Sequence, residues 1–142
     1  MLHPQIIVKE ADGWLAEQIR DVARENSWIV REIRDPIQCE ETICSNRPTI
    51  LLVVMGKKII DDLKLVSRIY YCDPDCGIAV FGSTKYEGAA QRAGIAGLLY
   101  DVGVRYAMFP PLTKNLIEDL TYGLMSATIR RGRGHKGSST LV

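Results

Sequence analysis

One stretch of this chain constrains its fold more than any other: Pro48-Thr-Ile-Leu-Leu-Val-Val-Met-Gly56. It has the length of a strand, is punctuated by proline and glycine, and shows no alternation of polar with apolar residues. A strand apolar on both sides must be covered on both faces. Parallel sheets flanked by helices provide that cover, whereas antiparallel sheets commonly leave one face to water. The rest of the chain must therefore supply helices on both sides and further strands alongside.

It reads that way. Gln5-Ile-Ile-Val-Lys9 is a short first strand, followed by Asp12 as the cap of a helix whose stripe is Leu15, Ile19, Val22 and Ala23. Ser27 to Ile33 returns as a strand, and Asp35-Pro36 opens a short second helix through Ile43. After the run ending at Val54, Asp61 and Asp62 favour the start of a third helix with Leu63, Val66, Ile69 and Tyr70 inward. Cys72-Asp-Pro-Asp-Cys-Gly77 is a turn into a fourth strand, residues 78–81. Residues 86–102 form a fourth helix, weakened by Gly88, Gly94 and Gly97 at about 1 kcal/mol each relative to alanine. A fifth strand from Val104 to Phe109 is closed by Pro110-Pro111, and Thr113 caps a fifth helix with the stripe Leu116, Leu120, Leu124 and Ala127. Strands alternating with helices in this way imply a parallel sheet with right-handed crossovers.

The 142 residues suit one domain, expected over residues 1–131. The segment 132–142 is rich in glycine and serine and basic, and is expected to be a disordered tail. Arg130, Arg131, Arg133 and Lys136 sit at this end with no acid among them, so the +1 net charge of the chain conceals an acidic body and a basic terminus. No apolar run reaches the roughly 18 residues of a membrane span, and Met1-Leu-His-Pro-Gln5 lacks the features of a signal peptide. A cytoplasmic protein without membrane contact is the expectation.

Cys39, Cys44, Cys72 and Cys76 are spaced C-x4-C and C-x3-C, unlike the C-x2-C pairs of common zinc sites. They read as free, small apolar side chains, so no metal is expected, although the two pairs fall on neighbouring elements. His3 and His135 are both terminal, which leaves a nucleophilic cysteine without a base. No Gly-x-Gly-x-x-Gly or Walker spacing occurs. Neither an enzyme nor a resident cofactor is expected.

In open parallel sheets the working residues lie at the carboxyl ends of the strands. At the end of the central run stands Val54, which cannot attack, coordinate a metal or move a proton. The βα order, the third strand opened by proline, and the stretch Gly103-Val-Arg-Tyr-Ala-Met-Phe-Pro-Pro-Leu112 together resemble the response-regulator receiver domains of two-component signalling. The last of these is similar to that family's run from a glycine to a Lys-Pro pair. The resemblance covers residues 5–129. It implies a flavodoxin-like, doubly wound five-stranded parallel sheet of order 2-1-3-4-5 with helices on both faces. In working receivers, an acidic pair after the first strand holds Mg²⁺ and an aspartate ending the third strand takes a phosphoryl group. A Ser or Thr ending the fourth strand and a lysine before the proline of the fifth contact that group. Here the acidic pair falls on Lys9 and Glu10, the aspartate on Val54, the hydroxyl on Gly82 with Ser83 beside it, and the lysine on Pro110. The family's aromatic toggle falls on Ala107, with Tyr106 and Phe109 near.

The resemblance thus implies a degenerate pseudo-receiver that acts by protein–protein interaction without phosphorylation. Lys9, paired with Glu10 or Asp12, could supply the charge that a metal otherwise brings; the plainer alternative is a solvated turn. The family's usual output face, made by the fourth helix, fifth strand and fifth helix, would carry Tyr86, Leu99, Tyr100, Tyr106 and Tyr122, unless some of these are core. It would meet a partner protein or form a homodimer. The alternative function is a flavodoxin-like module holding a small anionic ligand at the carboxyl edge through Lys57, Lys58, Ser83 and Thr84. Four basic charges in a terminal segment are read as solvating, so direct nucleic acid binding is not expected.

Overall fold

A computed structural model describes residues 3–34, 38, 47–56, 59–82, 89–104 and 106–140, without the side chains of residues 89, 90 and 133–140. The elements are β1 (Gln5–Lys9), α1 (Trp14–Glu25), β2 (Ile29–Ile33), β3 (Thr49–Val54), α2 (Ile59–Cys72), β4 (Gly77–Phe81), α3 (Ala89–Asp101), β5 (Tyr106–Met108) and α4 (Lys114–Thr140). The short helix expected between Asp35 and Ile43 lies, apart from residue 38, outside the described residues. All strand pairs are parallel and the order is β2-β1-β3-β4-β5, as the resemblance implied.

The aliphatic run is the central strand, and strand alternation splits it between two cores. Leu51 and Val53 face a cluster with Leu65, Val66 and Ile69 of α2 and Leu99 of α3. Ile50 and Leu52 face Leu15, Ile19 and Val22 of α1 and Ile117, Leu124 and Met125 of α4. These four β3 residues are all 0% exposed, each contributing about 1.5–3 kcal/mol of burial. Register then brings the strand ends to one edge: Lys9 pairs with Val53, and Val54 with Phe81.

Two helices are rotated from their expected phase. In α2 the buried residues are Asp62, Leu65, Val66 and Ile69, while Leu63 is half-buried and Tyr70 is exposed. An acid that looked like a helix-starting surface residue lies on the core side. In α4 the buried residues include Ile117, Thr121, Leu124, Met125 and Thr128, and Leu116 is exposed. The threonines tolerate burial because their hydroxyls donate to the carbonyls of Ile117 (2.7 Å) and Leu124 (2.8 Å). Gly77 explains the close approach here: a Cβ there would stand 2.6 Å from Thr128 Oγ1 and 2.8 Å from Leu124 Cδ1.

α4 extends to Thr140. Once nucleated by the packed turns, a helix propagates with one hydrogen bond gained per residue fixed. No described helix is long and apolar enough to cross a membrane.

Candidate functional site

The carboxyl ends of β1, β3, β4 and β5 form the crevice in which this topology places its chemistry. Glu10 follows β1 and is 6% exposed. Its two oxygens accept the amide N–H groups of Leu15 and Ala16, each at 2.8 Å. The carboxylate therefore caps α1, where the helix dipole favours a negative charge. Asp12, the expected cap, only receives the N–H of Trp14 at 3.3 Å and is exposed. Glu10 wins because its longer side chain reaches amides inside the first turn from a buried strand end.

Lys9 does pair with a carboxylate, but with neither Glu10 nor Asp12. Its Nζ forms an ion pair with Asp62 Oδ1 from α2, while Asp62 Oδ2 accepts the N–H of Gly56 at 2.9 Å. The side chains are 17% and 4% exposed. Strand alternation sends Lys9 to the α2 side of the sheet, the side Ile7 also faces, so Glu10 and Asp12 on the next turn were never its natural partners. The pair ties β1 to α2 across the end of β3. Val54 is half-buried and packs toward α1 and α4.

The other half of the crevice is closed by a ring. Gly82 is buried, and its N–H donates to the carbonyl of Met108 at 2.7 Å. A Cβ built at Gly82 would collide with Cδ1 and Cε1 of Phe109, so the position that would carry the receiver hydroxyl has no room for a side chain. Arg92 of α3 lies over the same ring, its Cζ 5.7 Å from the centroid. Pro110 and Ala107 are half-buried and bring no amine or aromatic group. Ser83, Thr84, Lys57, Lys58 and Tyr86 lie outside the described residues.

These donors do not fit a divalent cation. Mg²⁺ needs oxygen ligands in near-octahedral array, yet both oxygens of Glu10 hold helix amides and Asp62 is shared between a lysine and a backbone N–H. Among the described residues no group of three or more His, Cys, Asp or Glu could hold a metal. Cys76 is buried and Cys72 exposed, while Cys39 and Cys44 lie outside the described residues.

The expected output face is only partly assembled. Tyr100 and Tyr106 are 62% and 42% exposed, but Leu99 is 1% exposed and belongs to the core. Tyr122 turns toward α1 and stacks on Trp28, with ring centroids 5.8 Å apart. Helical spacing alone could not say which flank of α4 Tyr122 would occupy, because the packed stripe itself was set one residue out of phase.

The carboxylate that sequence reasoning missed is Asp62. Its signal was present: Leu65, Val66 and Ile69 follow it by three, four and seven positions, the spacing of one helical stripe. An acid in phase with a buried stripe points to a buried partner.

No family model matches this sequence, and no curated protein matches it. Solved structures do. A response regulator from Thermotoga maritima superposes with a TM-score of 0.68 at 15% identity, over 88% of this chain and 99% of that one. A CheY-like response regulator receiver domain protein from Methanospirillum hungatei gives 0.65 at 12%, over 92% and 99%. A structure described as adenylate cyclase from Rhodopirellula baltica gives 0.74 at 9%, over 98% of each chain. At such identities the likeness establishes the fold, which is that of a receiver domain.

Proposed function

We propose that this receiver-like domain is a pseudo-receiver, a cytoplasmic signalling module that works through protein contacts, without aspartyl phosphorylation and without catalysis of its own. The observation that carries the reading is the Lys9–Asp62 ion pair, with Lys9 in register with Val53 at the end of the strand that closes on Val54. In the family it resembles, phosphorylation changes the charge at the end of the third strand and so shifts the loops around it. Here valine accepts no phosphoryl group, and a fixed internal cation–anion pair already bridges the elements flanking that strand. Gly56, the first backbone amide beyond the strand end to meet a side chain, is held by Asp62. The strand end at Gly56 is thereby tied to α2, and a domain with a tied strand end serves as a scaffold for recognition.

The test is direct. The full chain is incubated with Mg²⁺ and a small phosphodonor such as acetyl phosphate, then assayed for an acid-stable, base-labile acyl phosphate. No label and no change in thermal midpoint are expected; stoichiometric label would overturn the reading.

A further inference from the structure

β2 is an edge of the sheet, with β1 on its inner side. Successive residues of a strand turn their backbone groups to opposite sides, so only alternate residues reach the neighbouring strand. The amide of Ile29 donates to the carbonyl of Pro4 at 2.9 Å, which sets residues 29, 31 and 33 toward β1. Val30 and Glu32 therefore point their N–H and C=O groups away from the sheet. Among the described residues no backbone hydrogen bond outside the β1 ladder involves either of them. Such a row of unpaired groups is a template for one more strand.

The same two residues line a pocket. Val30 and Glu32, with Ala16 and Arg20 of α1, enclose about 230 Å³, on the α1 side of the sheet that Val30 also packs against. Its apolar members are the half-buried Val30 and the buried Ala16, while Arg20 and Glu32 are exposed. Glu32 reaches toward the start of α1, its Oε1 lying 3.5 Å from where a Cβ would stand at Gly13. Arg20 sits about two turns further along that helix. It meets Glu17 at 3.1 Å in an exposed pair, while Glu32 has no ion pair among the described residues. The pocket is thus negative at one end, positive at the other and apolar between.

Unpaired backbone and a side-chain pocket on the same residues are the two parts of strand-addition recognition. Main-chain hydrogen bonds give affinity, and pockets for alternate side chains give specificity. We infer that β2 receives an extended segment of a partner protein as a sixth strand. The segment places one aliphatic side chain of about valine size in the pocket. Residues two places to either side share that face, and there an acid meets Arg20 and a base meets Glu32. The motif reads acid-x-aliphatic-x-base in a strand parallel to β2, and the reverse in an antiparallel one. A second copy of β2 is the wrong occupant, because aligning two such strands about their middle residue sets Arg31 against Arg31, and like charges directly opposite repel. The β2 edge is also the far side of the sheet from β5, and so from the face that the family resemblance suggested. The inference rests on the protein-contact reading above. Phosphoryl label reads the crevice and strand addition reads the β2 edge, so either can fail while the other stands.

The test titrates the full chain, labelled with nitrogen-15, with the peptide acetyl-Thr-Glu-Thr-Val-Thr-Lys-Thr-amide and with the same residues in reverse order. One of the two should shift the amide resonances of Val30 and Glu32 and slow their exchange with solvent at least about tenfold at saturation. Arg31, already facing β1, should keep its exchange rate. Glu32→Lys should weaken that peptide about fivefold, the size of a cross-strand charge attraction turned to repulsion, and replacing the peptide's lysine by glutamate should restore the affinity. Val30→Pro removes an outward N–H without touching the β1 ladder, as an edge strand tolerates, and should abolish binding. No response to either peptide at millimolar concentration, shifts confined to other surfaces, or indifference to Glu32→Lys overturns the proposal. So does protection of Val30 and Glu32 that rises with the concentration of the chain alone, since a second copy would then hold the edge.

Discussion

The two halves of the crevice are closed by different physics. Between β1, β3 and α2 the closure is a pair of opposite charges, 17% and 4% exposed, with a backbone amide as third member. Between β4, β5 and α3 it is a ring, Phe109, lying where a side chain at Gly82 would stand and covered by Arg92. The first half keeps polar groups and satisfies them internally. The second removes the polar group and fills its place. The two closures respond to perturbation differently: charge closure is sensitive to losing one partner, and ring closure to added volume.

The largest effect should therefore come from breaking the pair unevenly. Asp62→Ala leaves the Lys9 ammonium with little water and no counter-charge, and frees the N–H of Gly56. About 3–5 kcal/mol of destabilisation is expected in urea denaturation. Lys9→Met combined with Asp62→Leu removes both charges and should recover most of that loss, because a buried pair is often replaced by apolar residues at little net change. If the double variant is as unstable as Asp62→Ala alone, the charge account of this half is wrong and packing dominates.

Adding volume probes the other half. Gly82→Ser, the substitution that would restore a hydroxyl to β4, must displace the Phe109 ring and is expected to cost about 1–3 kcal/mol. With Phe109→Ala in the same chain the serine has room, so the double variant should be less destabilised than the two single variants summed. Strict additivity would mean that ring and glycine do not compete for the same space.

The same distinction governs what the sequence revealed. The aliphatic run from Thr49 to Val54 was enough to place a covered parallel strand, because a short segment apolar on both sides is stable only between two layers of helices. The places of Val54 and Gly82 were also legible, since the ends of β3 and β4 fall at and just before them. The positive constructions were not. Lys9 was assigned to Glu10 or Asp12 by nearness in sequence, whereas its partner lies 53 positions away on a helix whose phase had been set by Leu63 and Tyr70. The Phe109 ring over Gly82 depends on how β5 leaves the sheet, which no local pattern encodes. Deletions are read in one dimension; replacements need the fold. Tyr122 illustrates the same point on the surface, since a one-residue error of phase in α4 moved it to the wrong flank.

The smallest effect sharpens the comparison by taking a charge pair out of the crevice. Lys114 Nζ lies 2.6 Å from Asp21 Oδ2, with both side chains about half exposed. The hydrogen bond from Lys114, and then that from Arg24, holds the Asp21 carboxyl below its ordinary 3.8, and the bond to Asp21 holds the Lys114 ammonium above its ordinary 10.5. Each shift has its own sign. The lowered carboxyl contributes stability that is present above 3.8 and lost as pH falls through the folded value. The raised ammonium contributes stability that is present below 10.5 and lost as pH rises through the folded value. Between those limits the pair is intact but lies in water, so salt screens it. Asp21→Asn should therefore shift the thermal midpoint detectably only at low ionic strength and between those pH limits. Near 0.15 M salt, where the Debye length is about 8 Å, it should match the parent chain. A salt-insensitive loss as large as that of Asp62→Ala would mean that exposure does not separate the two ion pairs, and that the closed crevice is held by something other than its buried charges.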